Sequence, residues 1–266
     1  MQATSRRFSF SGFGGTLLSG AAGAWSWLHV GGDALVAALS PSTYTRPVRA
    51  IAARQICVSA WQVLPGVILV SALLSYVVIR IVVTTARDYG LSPLALDLFL
   101  RLFVLELVPL FVALFVALRS GAALATEVAL MRARGSTDAQ AADGENSLRA
   151  QLLPRGIGNA VAVVALTVIG CVVALAVAYV GLYGFSPWGH AAFARTVGQA
   201  FDPLALAGFA LKLAFFALAV GVIPAAASLG TPRDTRSVPQ AAPRGLVWLF
   251  IGLALVEALS LAVRYV

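Results

Sequence analysis

Too few charges are present to coat a water-soluble domain. Charged residues make up 11% of the 266 positions and hydrophobic residues 60%, with a mean hydropathy of +0.89. Soluble domains carry about 25% charged residues, so the composition implies an integral membrane protein. Cysteine is nearly absent. Cys57 and Cys171 both fall in apolar runs, which excludes a disulfide framework and reads as two buried, inert thiols. Chemistry motifs are missing too. There is no HExxH, GxSxG, Walker A or CxxC, and the two histidines have no metal-ligand spacing. An intramembrane hydrolase is therefore not expected, and neither is a metal or cofactor on this chain.

What is present is long stretches without charge. A bilayer core of roughly 30 Å needs about 20 apolar residues per helical crossing. Residues 55–79 lie between Arg54 and Arg80 with no charge, and 156–194 lie between Arg155 and Arg195 with His190 as the titratable group. Residues 203–232 hold Lys212 alone, and 245–263 hold Glu257 alone. A fifth run begins near Leu98. The runs are too long and too continuously apolar for the alternating strands of a barrel, and open sheet edges find no partners in lipid. The fold class expected is all-α, with five transmembrane helices.

The surplus of basic residues, net +8, is placed by topology and not by nucleic acid. Arg6, Arg7, Arg46, Arg49 and Arg54 precede the first span, Arg132, Arg134, Arg149 and Arg155 separate the second from the third, and Arg233, Arg236 and Arg244 separate the fourth from the fifth. The other two connections are poorer, with Arg87, Arg101 and Arg195. This alternation puts the N-terminus, the 132–156 loop and the 230–244 loop in the cytoplasm and the C-terminus outside. The N-terminal "TSRRFSF" is similar to a twin-arginine signal and "GAAGAW" to a cleavage site, but the glycine-rich segment between is weakly hydrophobic and a polytopic protein follows. Residues 21–39, with Trp25, Trp27, Leu28, Val36 and Leu39, are expected to form an amphipathic helix on the cytoplasmic interface.

Ionisable groups inside the spans cost a few kcal/mol each, so those that persist face a cavity, a partner or the interface. Glu106 sits one turn before Pro109, which removes a backbone hydrogen bond. Lys212 has two alternatives, pairing with Glu106 or snorkelling to the outer headgroups. Glu257 stands mid-span in the last helix, where packing against serine or backbone donors is weighed against a role in a transport pathway. Arg119 and Glu127 have two readings: a helix end emerging into the cytoplasm, with Arg132 and Arg134 completing a basic flank, or a charged bracket around "SGAALA", a small-residue surface suited to a close helix or subunit junction. On an ideal α-helix Glu106 and Glu127 fall within about 60° of one face and about 32 Å apart along the axis.

These residues resemble the MlaE/YrbE permeases, the membrane subunits of MCE-type ABC lipid transporters. "LELVP" followed by "LRSGAALATEVALM" is similar to the family signature, with Glu106, Leu107, Pro109, Arg119, Gly121, Ala123, Glu127 and Met131 on matching positions. Gln55 and "VLPG" at Pro65, Pro154 with Arg155, Thr167, Lys212 with Phe216, and Glu257 extend the resemblance over about residues 46–262. It implies a cytoplasmic N-terminus with an interfacial helix over residues 1–54 and a permease domain over 55–266. It implies further a homodimer in the bacterial inner membrane, with a lipid cavity at Glu106, Pro109 and Lys212 and a packing or dimer junction at Arg119, Gly121, Glu127 and Glu257. Partners follow from the same resemblance: a cytoplasmic ATPase holding ATP and Mg, a periplasmic MCE-domain protein and a STAS-domain subunit, with membrane lipid as substrate. The chain departs from the family at Leu105 and Val108, where arginine and glycine are usual, and at Ala242 and Pro243, where threonines are usual. In the ATPase-coupling segment "GSTDAQAADGENSLRAQ" only Asp138 and Ala139 are in register, next to Arg134, and Gly135 and Gly144 disfavour a helix there.

Three functions compete. The resemblance favours a permease subunit that moves phospholipid between the inner membrane and a periplasmic conduit. The altered 135–151 segment favours a structural or assembly subunit that keeps the fold without transport. An ion-coupled carrier using Glu106 and Glu257 predicts inverted repeats, and the sequence has none.

Overall fold

The structure, a computed structural model, describes residues 46–90, 94–135, 141–229 and 238–265, and among these there is no strand. Five helices are long and apolar enough to cross a membrane: Val63–Asp88, Ala95–Glu127, Arg155–Tyr183, Pro203–Pro224 and Gly245–Val263. The all-α, five-span expectation holds. Helices satisfy every backbone group within one segment, which is why apolar runs of this length fold no other way in lipid.

The first span belongs to α1, Arg46–Asp88. The second is compound: α2 Ala95–Leu98, a π-helical stretch Phe99–Leu107, α3 Val108–Val116, a second π-helical stretch Ala117–Gly121, and α4 Ala122–Gly135. Helix α5, Ala141–Tyr183, carries the third span. A single 3₁₀ turn and the short α6, His190–Ala200, follow it. The fourth and fifth spans lie in α7, Pro203–Leu229, and α8, Val238–Tyr265.

The second span is the axis of the bundle. The most apolar window of this span is 61% buried, against 11% for the fifth span. Around it α1 packs on α5, α5 on α7, α7 on α8, and α8 returns to α4. Without a hydrophobic drive between helices in lipid, such contacts depend on close packing of small residues. Gly156 of α5 and Gly221 of α7 show how close: a methyl on either would stand 2.7 Å from the carbonyl oxygen of the other. Gly121 is likewise covered, its missing side chain 3.3 Å from Pro224 Cγ.

Two expectations are corrected. The apolar run 156–194 is not one span. The chain leaves the helix after Tyr183 through Gly184, whose φ of +64° is the left-handed conformation that favours glycine, and α6 folds back on the bundle end. At 11 residues α6 is about 16 Å long, too short to cross. Phe193 of α6 is gripped by Tyr179 and Tyr183 of α5, with ring centroids 5.3 Å and 6.4 Å away. Sparse charge hid this break, since only His190 and Arg195 mark the segment. Second, Gly144 does not interrupt a helix: α5 runs through it. The first span also continues past Arg80 to Asp88, with both Arg80 and Arg87 exposed. The interfacial helix expected over 21–39 lies outside the described residues.

Candidate functional site: a buried ion triad across three spans

Pro109 has no N–H to close on the carbonyl of Leu105, and just before it the second span is wound wide. The Val108 N–H reaches back five residues to the Phe103 carbonyl, the π-helical pattern that recurs at functional sites. In this stretch Glu106 turns inward, toward α7 and α8, and is buried. Pro109 is buried in the first turn of α3.

Lys212 of α7 meets Glu106 there. Its ammonium forms an ion pair with Glu106 Oε2, lies 3.4 Å from the Glu106 main-chain carbonyl oxygen, and is 2.7 Å from Glu257 Oε2 of α8. Glu106 and Glu257 thus share the one ammonium, and the three side chains form a single buried cluster. Phe216, one turn along α7, places its ring centroid 5.6 Å from the ammonium, a cation–π distance. Side-chain exposure is 3% for Lys212, 6% for Glu106 and 14% for Glu257, so Glu257 is the member with an open edge. Lys212 is the sole lysine of the sequence; the other 18 basic residues are arginines. A compact ammonium suits a tight site between two carboxylates better than a planar fork. The triad lies about 14 Å along α7 from Pro203, toward the bundle end that carries α6.

The sequence-expected residues thus divide. Of the two alternatives for Lys212, the pairing with Glu106 is realised. Glu257, expected at the packing junction, joins them. Glu127 forms an ion pair with Arg155 at the start of the third span, where the two side chains are 40% and 29% exposed. Arg119 is exposed in the second π-helical stretch. The wider π turns advance fewer degrees per residue, so the shared face drawn on an ideal helix for Glu106 and Glu127 is not kept. Gly121 is buried at a helix junction inside this chain, under Pro224 and Leu249. Arg134 belongs to α4, and Asp138 and Ala139 lie outside the described residues. Cys171 is buried, its thiol 3.8 Å from the Val104 carbonyl.

One polar cluster escaped the sequence reading. Arg101 forms a salt bridge of 2.9 Å with Asp97 and donates at 3.5 Å to the Gln199 carbonyl near the C-terminus of α6, where a cation suits the helix dipole. The Asp97–Arg101 spacing of four was the available signal. Among the described residues no three potential ligands gather for a metal.

The triad gathers two carboxyl groups around one ammonium in a low-dielectric site. It contains neither a nucleophile with a base nor a phosphate cradle. A family model described as Permease MlaE matches residues 52–263 of the chain, while no curated protein sequence matches it.

Proposed function

The chain belongs to the MlaE permease family, and from that membership we propose that it moves phospholipids or related hydrophobic lipids between the bacterial inner membrane and a periplasmic MCE-protein conduit. It is an integral membrane protein and a permease subunit of an ABC transporter, whose ATP hydrolysis belongs to a separate ATPase subunit. In this reading two copies assemble, ATP and Mg sit on the ATPase, and a STAS-domain subunit completes the complex. The N-terminus faces the cytoplasm and the C-terminus the periplasm, as the arginine distribution favours. The triad then lies nearer the periplasmic side.

The observation that carries the reading is the family match over 52–263. The triad gives it a mechanism: acyl chains occupy apolar space between helices while the headgroup meets the charged groups of the second, fourth and fifth spans. Conformational work comes from the ATPase. Proteoliposomes containing the full complex test this, with a fluorescent phospholipid transferred to an acceptor only when ATP is supplied. Transfer unaffected by ATP would overturn the proposal.

A second reading is kept by one observation. The 135–151 segment retains only Asp138 and Ala139 of the usual coupling residues, which favours a structural or assembly subunit. An ATPase that fails to copurify with the chain, while the other subunits do, would establish that alternative.

A further inference from the structure

Phe185 and Trp188 stand in the turn between the third span and α6 with almost nothing of the chain against them, 93% and 91% exposed. The turn itself is fixed from inside. The Tyr179 hydroxyl donates to the carbonyl oxygen of Ser186, between the two exposed rings, at 2.6 Å, and Phe193 is held by Tyr179 and Tyr183. Two large rings held this way, facing off the protein, are costly in water, so something outside the chain covers them.

Their height says what covers them. At the other end of the bundle Trp61 of α1, just before the first span, is 78% exposed. About 27 Å along the same helix lies Ile79, which packs on Gly181 of α5 with its Cγ2 3.2 Å from where a Gly181 side chain would begin. Helix α5 ends half a turn later at Tyr183, and Phe185 follows at once. The two levels of exposed aromatic residues are therefore about 30 Å apart, the thickness of one hydrocarbon core. Charge respects the same limits on α1. No charged residue falls between Trp61 and Ile79, and Arg80 comes immediately after, exposed. Among the described residues neither the Arg80 guanidinium nor the Trp188 indole N–H has a partner. Both groups only donate, which suits a layer rich in ester carbonyls and phosphates.

We infer that this turn and α6 form an interfacial anchor, with Phe185 and Trp188 seated at the boundary between acyl chains and headgroups on the α6 side of the membrane. The partner is the lipid surface itself. Phospholipid oxygens accept from Trp188 and meet Arg80, while α6 keeps His190, Ala191, Ala194 and Arg195 outward. The ends of the third and fourth spans are thereby held at one depth. A protein seated on the aqueous side, the competing occupant, gives no reason for the rings to lie one hydrocarbon thickness from Trp61. The anchor rests on the membrane-spanning fold and not on the transport reading.

The full chain with Trp25, Trp27, Trp61 and Trp248 changed to phenylalanine keeps Trp188 as its single tryptophan. It is placed in nanodiscs of phosphatidylcholine brominated either high on the acyl chain or near its methyl end. Emission is expected to fall about twofold with the high label and by less with the deep one, the order set by an interfacial depth. Aqueous iodide is expected to quench it less than free tryptophan. If the fourfold variant fails to fold, W188F alone gives the same reading, because its emission subtracted from that of the unaltered protein isolates Trp188. Emission indifferent to both lipid labels, quenched more by the deep one, or quenched by iodide as strongly as free tryptophan would overturn the anchor; the last result would leave the rings as an aqueous surface open to a protein.

Discussion

Two sites where ion pairs join helices, among the described residues, lie toward opposite ends of the bundle and are built differently. At one end Glu127 and Arg155 join the second and third spans with both side chains about a third exposed. Toward the other, Lys212 ties the second, fourth and fifth spans together at 3% exposure. The first can exchange its partner for water or a headgroup whenever the contact opens, so it contributes little to stability. The second has no such exchange, and removing one member leaves the others charged in an apolar interior. The difference shows that charge number is a poor guide to structural importance in a membrane bundle, whereas access to solvent is a good one.

That comparison can be broken most forcefully at its centre. Lys212→Met keeps the volume and removes the ammonium; breaking a buried pair this way costs about 3–5 kcal/mol. The expected outcome is loss of monodisperse protein on size exclusion, recovered in part when Glu106→Gln and Glu257→Gln are added. A single variant as stable as the original would contradict the buried triad. Gly221→Val probes close packing without any charge: its Cβ meets the Gly156 carbonyl at 2.7 Å. Overpacking of this kind costs about 1–3 kcal/mol, read as a lower thermal midpoint in detergent. At the exposed pair, Arg155→Ala is expected to change stability by about 0.2–1 kcal/mol, and more at low salt than at high salt. Smallest of all is Asp97→Asn, at about 0.3–0.5 kcal/mol for an i,i+4 pair. Its expected sign is faster hydrogen exchange in α6 through the loosened Arg101–Gln199 contact, with the spans unchanged.

The spans were legible because a bilayer imposes a length on apolar runs, and residues 55–79, 203–232 and 245–263 meet it directly. The end of the third span was not. Glycine at 184 turns the chain, but "GFSPWGHAAFARTVGQA" carries too little charge to separate a surface helix from a membrane one. Glu106, Lys212 and Glu257 were each conspicuous, since a charge in an apolar run is costly wherever it points. That they meet was undecided, because their contact depends on how three helices rotate against one another. The π-helical stretches decide part of that rotation for the second span, and only Pro109 hints at them. Glu127 illustrates the same limit, since an ideal helical wheel set it near the face of Glu106 while the folded chain pairs it with Arg155 from another span.

The Lys212–Glu106 pairing also sets a schedule for synthesis. The two residues are 106 positions apart, and at roughly 5–20 residues per second a ribosome needs about 5–20 s to deliver the lysine after the glutamate. During that interval the second span resides in or beside the insertion machinery before the Lys212 ammonium that pairs with Glu106 has been made. Release of the helices one by one would strand that carboxylate in lipid. The bundle is therefore expected to leave the translocation channel as a group of four or five helices, with Lys212 as the residue whose arrival allows the earlier spans to go.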